Sequence, residues 1–241
     1  MTTGAESHHT NLLEQGYTLI QGVTIDEEAA EALRPFGKII PQYDGQLRYQ
    51  VRAQPGFENR RYSKSTNSVL VHTEAPGWAP PPRFLALHCH VQAACGAGQT
   101  ELADGRALLA AFDDVLARAA QDLEIEWIGH NTGGVGSKGV RAPIVERACD
   151  GTEMIRFSYN LLTTGHYDPP VDAAPDPASL PLGALGIQLA EFAEQFFREQ
   201  KASILIPEDA VLIWDNQRMM HARSEYKDIR RHLTRYWLQH P

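Results

Sequence analysis

One segment of the chain ends in two side chains that can bind a metal ion, His72 and Glu74. Its composition is that of a β-strand, and residues two positions apart in a strand point to the same side. An imidazole nitrogen and a carboxylate oxygen held together in this way suit a borderline divalent metal and leave most of its coordination sphere open. Alone, a His-x-Glu pair is a weak signal, because such pairs also occur by chance.

A third candidate ligand lies near the C-terminus, where an apolar segment at 211–214 runs into the turn-forming pair Asp215-Asn216. His221 follows on the returning segment. A histidine from a distant strand would complete a facial site of two histidines and one carboxylate. Three protein ligands on one face leave three positions free, two for a chelating cosubstrate and one for O2.

Two arginines, Arg231 and Arg235, follow in a segment whose alternation predicts a strand with both on the face of Leu233. Burying a guanidinium is costly unless a carboxylate meets it. No acidic residue close in sequence is an obvious partner, so the pattern favours an anionic ligand. Arginine suits this task because its planar fork holds both oxygens of a carboxylate.

These segments resemble the taurine dioxygenase-like family of Fe(II)/2-oxoglutarate oxygenases, and the glutamate of the metal motif is similar to that of the clavaminate synthase-like members. Relatives of those members act in amino-acid and natural-product chemistry. The matching text is His72-Thr-Glu74, then Cys89-His-Val-Gln-Ala-Ala-Cys-Gly-Ala-Gly-Gln-Thr100 with Ala103-Asp-Gly-Arg106, and finally Trp214 through His221 to Arg235. The resemblance covers roughly residues 36–238 and implies a jelly-roll (double-stranded β-helix) fold.

The resemblance implies a role for each matching residue. Three match the iron ligands, namely His72, Glu74 and His221. Thr100 and Arg231 match the residues that hold the distal carboxylate of 2-oxoglutarate, and Arg235 matches an arginine that contacts an anionic substrate in some relatives. The activity implied is oxidation of a small, amino-acid-like substrate, free or carrier-bound, with Fe(II), 2-oxoglutarate and O2, releasing succinate and CO2. Hydroxylation, desaturation, cyclisation and epoxidation all remain open as outcomes.

Two residues that flank the metal segment, Asn67 and Trp78, are candidates for lining the substrate pocket. Each is equally well explained as a turn residue or a core aromatic. His88 and His90 form a further His-x-His pair, for which a cupin-type metal site is possible but polar strand residues are the favoured interpretation. Two other functions stay open: a jelly-roll metalloenzyme that does not use 2-oxoglutarate, and a catalytically silent small-molecule binding module.

The elements that must position these residues are mostly strands. Periodicity and turn residues predict helices at 24–33 (from a capping box formed by Thr24 and Glu27), 104–121 and 184–200. Strands are predicted at 17–23, 47–52, 69–72, 83–91, 123–129, 154–159, 211–214 and 232–238. Many strands without βαβ alternation favour a β-sandwich or barrel with flanking helices. A proline-rich loop at 167–181 is either a functional lid or a passive connection.

Length and composition place these elements in one ordinary globular domain, residues 1–241, with 43% hydrophobic residues. The net charge of −8 argues against a nucleic-acid partner. No stretch approaches the roughly 20 apolar residues of a membrane span, and the first residues do not have the pattern of a signal peptide. Three cysteines, Cys89, Cys95 and Cys149, make no disulfide framework, so a reducing, cytoplasmic location is expected.

Overall fold

A computed structural model describes residues 4–129, 131–132, 135–136, 138–147, 152–174, 177–178 and 180–239. Cys149 and three positions of the proline-rich loop, Pro175, Asp176 and Ser179, lie outside the described residues. Within the described part of the chain, no helix combines the length and apolar character that crossing a membrane requires.

The elements are short, and strands outnumber helices. The helices are α1 Gly4–Gln15, α2 Asp26–Leu33, α3 Gly105–Ala111, α4 Asp114–Asp122, α5 Tyr159–Thr164 and α6 Gly183–Gln200. The strands are β1 Tyr17–Gln21, β2 Lys38–Ile40, β3 Tyr49–Val51, β4 Val69–His72, β5 Phe84–Val91, β6 Thr100–Asp104, β7 Ile125–Trp127, β8 Asn131–Thr132, β9 Val135–Gly136, β10 Val140–Ala142, β11 Val145–Arg147, β12 Glu153–Ile155, β13 Ala202–Ile204, β14 Ala210–Asp215, β15 Met219–Arg223 and β16 His232–Gln239.

Two antiparallel sheets form the body of the molecule, as the strand pattern predicts. The larger sheet has the order β1-β14-β5-β16-β2, with β3 also paired to β16, and the smaller has the order β13-β6-β15-β4. The order within each sheet is far from the chain order, so residues distant in sequence become neighbours. The remaining strands pair in short hairpins of two.

The core consists of three layers that the two sheets separate. Leu85, Leu87 and Trp214 of the larger sheet pack between the sheets against Leu102 of the smaller one. The outer face of the larger sheet packs against α1 and α2. The outer face of the smaller sheet packs against α3 to α6, with Phe157 and Leu189 fully buried. Strand alternation therefore gives β5 one face toward the inter-sheet space and one toward α2.

Several predicted elements differ from the structure for local reasons. The predicted helix at 104–121 is two helices, because Asp113 accepts hydrogen bonds from the backbone N–H groups of Val115 and Leu116 and so starts a new helix. The predicted strand at 154–159 ends at Ile155, and its last residues lead into α5, whose N-terminal N–H of Leu161 donates to Ser158.

Two segments of the N-terminal region also differ from the sequence-based prediction. The pattern predicts no helix before residue 24, whereas Gly4–Gln15 form α1, in which His8 bonds to Thr18 at 2.8 Å. The predicted capping box of Thr24 and Glu27 is not formed: the helix begins at Asp26, and Thr24 donates from both its N–H and its hydroxyl to Glu28, at 2.8 Å each. The residue that precedes the helix is Ile25, which makes no side-chain cap, so the contact between Thr24 and Glu28 is not a capping box.

Candidate active site

Strand pairing brings the three candidate metal ligands together. His72 is the last residue of β4, and its direct cross-strand partner on β15 is His221. The two imidazole rings lie 4.1 Å apart, and Glu74 follows two residues after His72. One ligand atom from each of the three residues lies within 4.8 Å of the others. The strand order of the smaller sheet therefore makes neighbours of two segments that are distant in sequence.

Hydrogen bonds hold the Glu74 carboxylate in place. Its Oε1 accepts from the Tyr43 hydroxyl at 3.1 Å, and its Oε2 accepts from Arg235 at 3.0 Å. The backbone around Glu74 is fixed by Asn216, whose side chain accepts from the Glu74 N–H at 2.7 Å and donates to the Glu74 carbonyl at 3.1 Å. Asn216 thus fixes the β14–β15 turn against the segment that carries the first two candidate ligands.

The donor set fits a divalent metal ion. His72 Nδ1 lies 2.8 Å from the Leu70 carbonyl, which must accept a proton from it, so the lone pair of this ring is on Nε2. His221 Nδ1 is buried and has no hydrogen-bond partner among the described residues, and its Nε2 lies 3.9 Å from Glu74 Oε2. Desolvation lowers the pKa of His72 and, with the nearby His72 and Arg235, lowers the pKa of His221 well below its usual value. Both rings are thus neutral at pH 7, as metal ligation requires.

Beside this triad, a pair of buried arginines has no acidic partner. Arg231 and Arg223 are 3% and 7% exposed, and no carboxylate of the described residues forms an ion pair with either. Both guanidinium groups lie 5.1 Å from the centre of the Tyr226 ring. Burial lowers the pKa of Arg231, and burial with the nearby Arg231 charge lowers that of Arg223 to about 9, which leaves Arg223 charged at pH 7. A guanidinium does not lose its proton in proteins, so Arg231 is charged as well.

Arg231 is oriented by the glycine-containing turn before β6. Its Nε donates to the Gly98 carbonyl at 3.1 Å, whereas its Nη1 is buried without a hydrogen-bond partner in the described structure. Gly98 has a φ of 75°, and a Cβ there would lie 2.9 Å from the Arg231 side chain. Glycine at this position therefore allows both the turn and the close approach of Arg231.

A cavity of about 70 Å³ connects the triad with the arginine pair. It is lined by His72, Glu74 and His221 on one side and by Arg223, Arg231 and Thr100 on the other. Thr100 is the first residue of β6 and lies directly opposite Arg223 on β15. The sequence-predicted contacts to the metal and to the distal carboxylate are thus brought to one cavity. Arg223 and Tyr226 were not predicted from sequence.

Arg235 lies on the same face as Arg231, as predicted, but has an acidic partner. Besides Glu74, it bonds through Nε to Gln42 at 2.8 Å, and Tyr43 and Tyr49 lie against its guanidinium. The partner is 161 residues away in sequence, which is why the sequence shows no acidic residue near it. Buried beside Glu74, this arginine keeps its charge paired within the protein.

A second, larger cavity of about 300 Å³ opens on the other side of His72 and Glu74. Its lining includes Arg235, Arg61 and Asp168, together with aromatic side chains. Desolvation, reinforced by the Glu74 charge, raises the pKa of Asp168 to about 7. Asp168 belongs to the proline-rich loop, so the first residues of that loop contribute to this cavity.

The two predicted pocket residues that flank the metal segment differ in position. Trp78 lines the larger cavity and packs edge-on against Trp237, with ring centres 5.2 Å apart. Asn67 is not in the lining of either cavity described above; its amide donates to the carbonyls of Glu58 and Arg60 at 2.7 and 2.9 Å. The structure therefore gives Asn67 a turn-stabilising contact instead of a position at the cavity.

Comparison with known proteins agrees with this geometry. Residues 2–237 match the model of a family described as taurine catabolism dioxygenase TauD, TfdA family. An asparagine oxygenase solved with Fe(II), 2S,3S-3-hydroxyasparagine and succinate has a similar structure, with a TM-score of 0.76, 15% identity, and coverage of 99% of this chain and 79% of that one. The non-heme iron oxygenase OrfP, solved with Fe and alpha-ketoglutaric acid, gives a TM-score of 0.66, 15% identity and coverage of 100% and 81%. These similarities confirm the jelly-roll fold. Among curated proteins, none matches the chain.

Proposed function

The chain belongs to the taurine catabolism dioxygenase TauD, TfdA family, and from that premise we propose that it is an Fe(II)/2-oxoglutarate-dependent dioxygenase that oxidises a small, amino-acid-like substrate. The observation that carries this proposal is the shared cavity, which is lined by two neutral histidines and a carboxylate and by two charged arginines without acidic partners. A divalent metal and an anionic chelator would together satisfy both groups.

In this proposal each group of the chain has a separate task. His72, Glu74 and His221 hold Fe(II), and Tyr43, Arg235 and Asn216 keep Glu74 in position. When bound, Fe(II) and 2-oxoglutarate supply the O2-dependent oxidation of a C–H bond, with succinate and CO2 as co-products.

In this proposal the arginine side of the cavity binds the distal carboxylate of 2-oxoglutarate. Arg231 uses its unpartnered Nη1 to bind the distal carboxylate, and the Thr100 hydroxyl donates to the same group. Arg223 adds positive charge, since its Nη1 and Nη2 groups already donate to backbone carbonyls of residues 62–67. Buried charges of this kind favour a dianion over a neutral molecule.

The larger cavity supports an amino-acid-like substrate. A zwitterion needs a cation for its carboxylate and an anion for its ammonium group. The lining of this cavity offers Arg61 as the cation and the Asp168 carboxylate as the anion. Structures of similar fold are recorded with hydroxylated asparagine and with (3S)-hydroxy-L-Arg. Arg235, the sequence-predicted substrate contact, is placed by this proposal mainly as the support of Glu74, and Trp78 as an apolar wall.

The experiment is a screen of free amino acids, each incubated with Fe(II), 2-oxoglutarate and ascorbate, with succinate and product mass as readouts. A substrate should increase succinate formation and gain or lose mass in step with it. Carrier-bound amino acids form a second arm. Metal-dependent turnover without consumption of 2-oxoglutarate would favour the cupin-type alternative. No metal binding at all would favour a silent binding module.

The proposal also covers domain organisation, cellular location and the class of partner. We propose one domain over residues 1–241, in which the first residues of the proline-rich loop border the substrate, because Tyr167 and Asp168 line the larger cavity. A reducing, cytoplasmic location is supported by the free cysteines Cys89 and Cys95. The acidic net charge of −8 supports a small molecule over nucleic acid as the partner.

A further inference from the structure

A second group of metal-binding side chains lies on the opposite face of the larger sheet. His88 and His90 of β5 point away from the inter-sheet space, toward the start of α2, where Asp26 meets them. One ligand atom from each of the three lies within 4.8 Å of the others. This cluster is separated from the candidate active site by β5 itself, whose other face carries Leu87 and Cys89.

The two polar contacts of His88 require a cation beside one of its ring nitrogens. The ring is fully buried, and its Nε2 lies 2.9 Å from the Val23 carbonyl, which can only accept, so Nε2 carries a proton. Its Nδ1 lies 3.0 Å from Asp26 Oδ1. A nitrogen lone pair and a carboxylate oxygen repel each other at this distance unless a cation lies between them. That cation is either a second proton or a metal ion.

The remaining contacts have the distances and the supporting bonds of a metal site. His90 Nε2 lies 3.2 Å from the same Asp26 Oδ1. Two atoms that are each about 2.1 Å from one ion lie about 3.0 Å apart at a right angle and about 3.4 Å apart at the tetrahedral angle. Asp26 Oδ1 also accepts from the Tyr236 hydroxyl at 2.8 Å, and the Thr234 hydroxyl lies 2.8 Å from the same His90 Nε2 and donates to Asp26 Oδ2 at 3.2 Å, so it is a further oxygen beside the ion position. Ligating histidines are commonly held by a hydrogen bond on the other ring nitrogen, as His88 is by Val23, and ligating carboxylates are commonly hydrogen-bonded, as Asp26 is by Tyr236.

We propose that Asp26, His88 and His90 form a second, structural site for one divalent transition-metal ion. Two imidazoles and a carboxylate select a borderline ion such as Zn²⁺ over Mg²⁺ or Ca²⁺. The ion has access from solvent, because the side chains of His90 and Asp26 are 22% and 18% exposed. Its effect is to fasten the start of α2 to the central strand of the larger sheet.

The test is a calorimetric titration of the metal-free protein with Zn²⁺. Because Zn²⁺ also binds triads of the active-site type, the titration is run in His72→Ala/His221→Ala protein as well as in wild type. We expect two equivalents in wild type and one in the double variant. Adding His90→Asn should weaken the remaining site at least tenfold, and Asp26→Asn should do the same. His166→Asn is the control, because this exposed histidine lies in the proline-rich region, away from the cluster, and does not line either cavity.

A thermal readout separates binding from folding. Zn²⁺ should raise the melting temperature of the double variant, because a ligand that binds only the folded state stabilises it. His90→Asn and Asp26→Asn should abolish that rise, and His166→Asn should keep it. Absence of a residual Zn²⁺ equivalent in the folded double variant overturns the second site. So does a residual equivalent that survives both His90→Asn and Asp26→Asn. A wild type that binds only one equivalent, lost with His90 and not with His221, would instead overturn the proposed active site.

Discussion

The two faces of the larger sheet each meet a pair of metal-binding side chains two residues apart, His72-x-Glu74 on the inner side and His88-x-His90 on the outer side. On the inner side the pair joins a third ligand at a cavity that also holds charged arginines without acidic partners. On the outer side the pair meets an aspartate, a tyrosine and a threonine that are hydrogen-bonded to one another. The difference shows that the same two-residue spacing occurs in two settings, and that the open cavity and the charges beside it distinguish the setting that can do chemistry.

The largest expected effect separates the two histidine pairs. His221→Ala or His72→Ala should reduce succinate formation at least a hundredfold and weaken Fe(II) binding, because each removes one of three protein donors. His90→Asn should leave succinate formation within about twofold of wild type, since it lies on the other face of β5. Circular dichroism should show all three variants folded. A loss of activity in His90→Asn equal to that in His221→Ala would end the comparison.

The next effect distinguishes the two arginines of the inner face. Arg231→Ala should raise the KM for 2-oxoglutarate at least tenfold, because a charge-assisted hydrogen bond contributes about 1.5–3 kcal/mol, and Lys should restore only part of the loss. Arg235→Ala should instead weaken Fe(II) binding about tenfold through Glu74. The measurements are the cosubstrate KM and Fe(II) affinity of each variant. If Arg235→Ala changes only the KM of the prime substrate, the sequence-based assignment to substrate is the better one.

A smaller effect concerns Asp168 in the larger cavity. Burial raises its pKa to about 7, so the fraction of carboxylate increases as the pH rises through that value. If the carboxylate binds the ammonium group of the substrate, kcat/KM should rise between about pH 6 and 8. Asp168→Asn should raise the substrate KM about tenfold and remove this limb of the profile. An unchanged pH profile in the folded variant would show that Asp168 does not bind substrate.

The smallest effect tests Thr100 at the cosubstrate end of the inner cavity. Thr100→Val keeps the shape and removes one hydroxyl, whose neutral hydrogen bond contributes about 1 kcal/mol. The KM for 2-oxoglutarate should therefore rise about fivefold, less than in Arg231→Ala, with kcat nearly unchanged. Steady-state kinetics on both variants, side by side, give the ranking. Equal effects of the two substitutions would mean that Thr100 acts through Arg231.

The sequence predicts the parts of this site that depend on local pattern. Alternation along β5 and β16 assigns their side chains to the faces that the structure shows. His72, Glu74 and His221 come together as predicted, because the amino-acid sequence shows both the types of ligand and the two-residue period of the strands. Arg235 shows where local pattern fails, since its partner Glu74 becomes a neighbour only through the strand order of two sheets. Arg223 and Tyr226 were missed for the same reason. Gly98 in the turn before β6 allows the close approach of Arg231, and this contact becomes visible only in the folded structure.

Asn67 and the pair His88 and His90 show that position in the sequence alone does not reveal which groups a polar side chain contacts. Closeness in sequence to the metal segment suggested that Asn67 faces substrate, yet its amide is taken up by the carbonyls of its own turn. The His88 pair was read as polar strand residues, because its acidic neighbour, Asp26, lies on a helix 62 residues away. Neither contact is encoded by periodicity within one element.

Anaerobic titration of the Fe(II)-loaded protein with 2-oxoglutarate tests the central claim most directly, because it needs no knowledge of the prime substrate. Chelation of Fe(II) by a 2-oxo acid produces a visible charge-transfer absorption. Wild-type protein should develop this absorption with one equivalent of each ligand. Arg231→Ala should need at least tenfold more 2-oxoglutarate, and His221→Ala should not develop the absorption at all. Absence of the absorption in wild type, or its full retention in His221→Ala, would contradict the account.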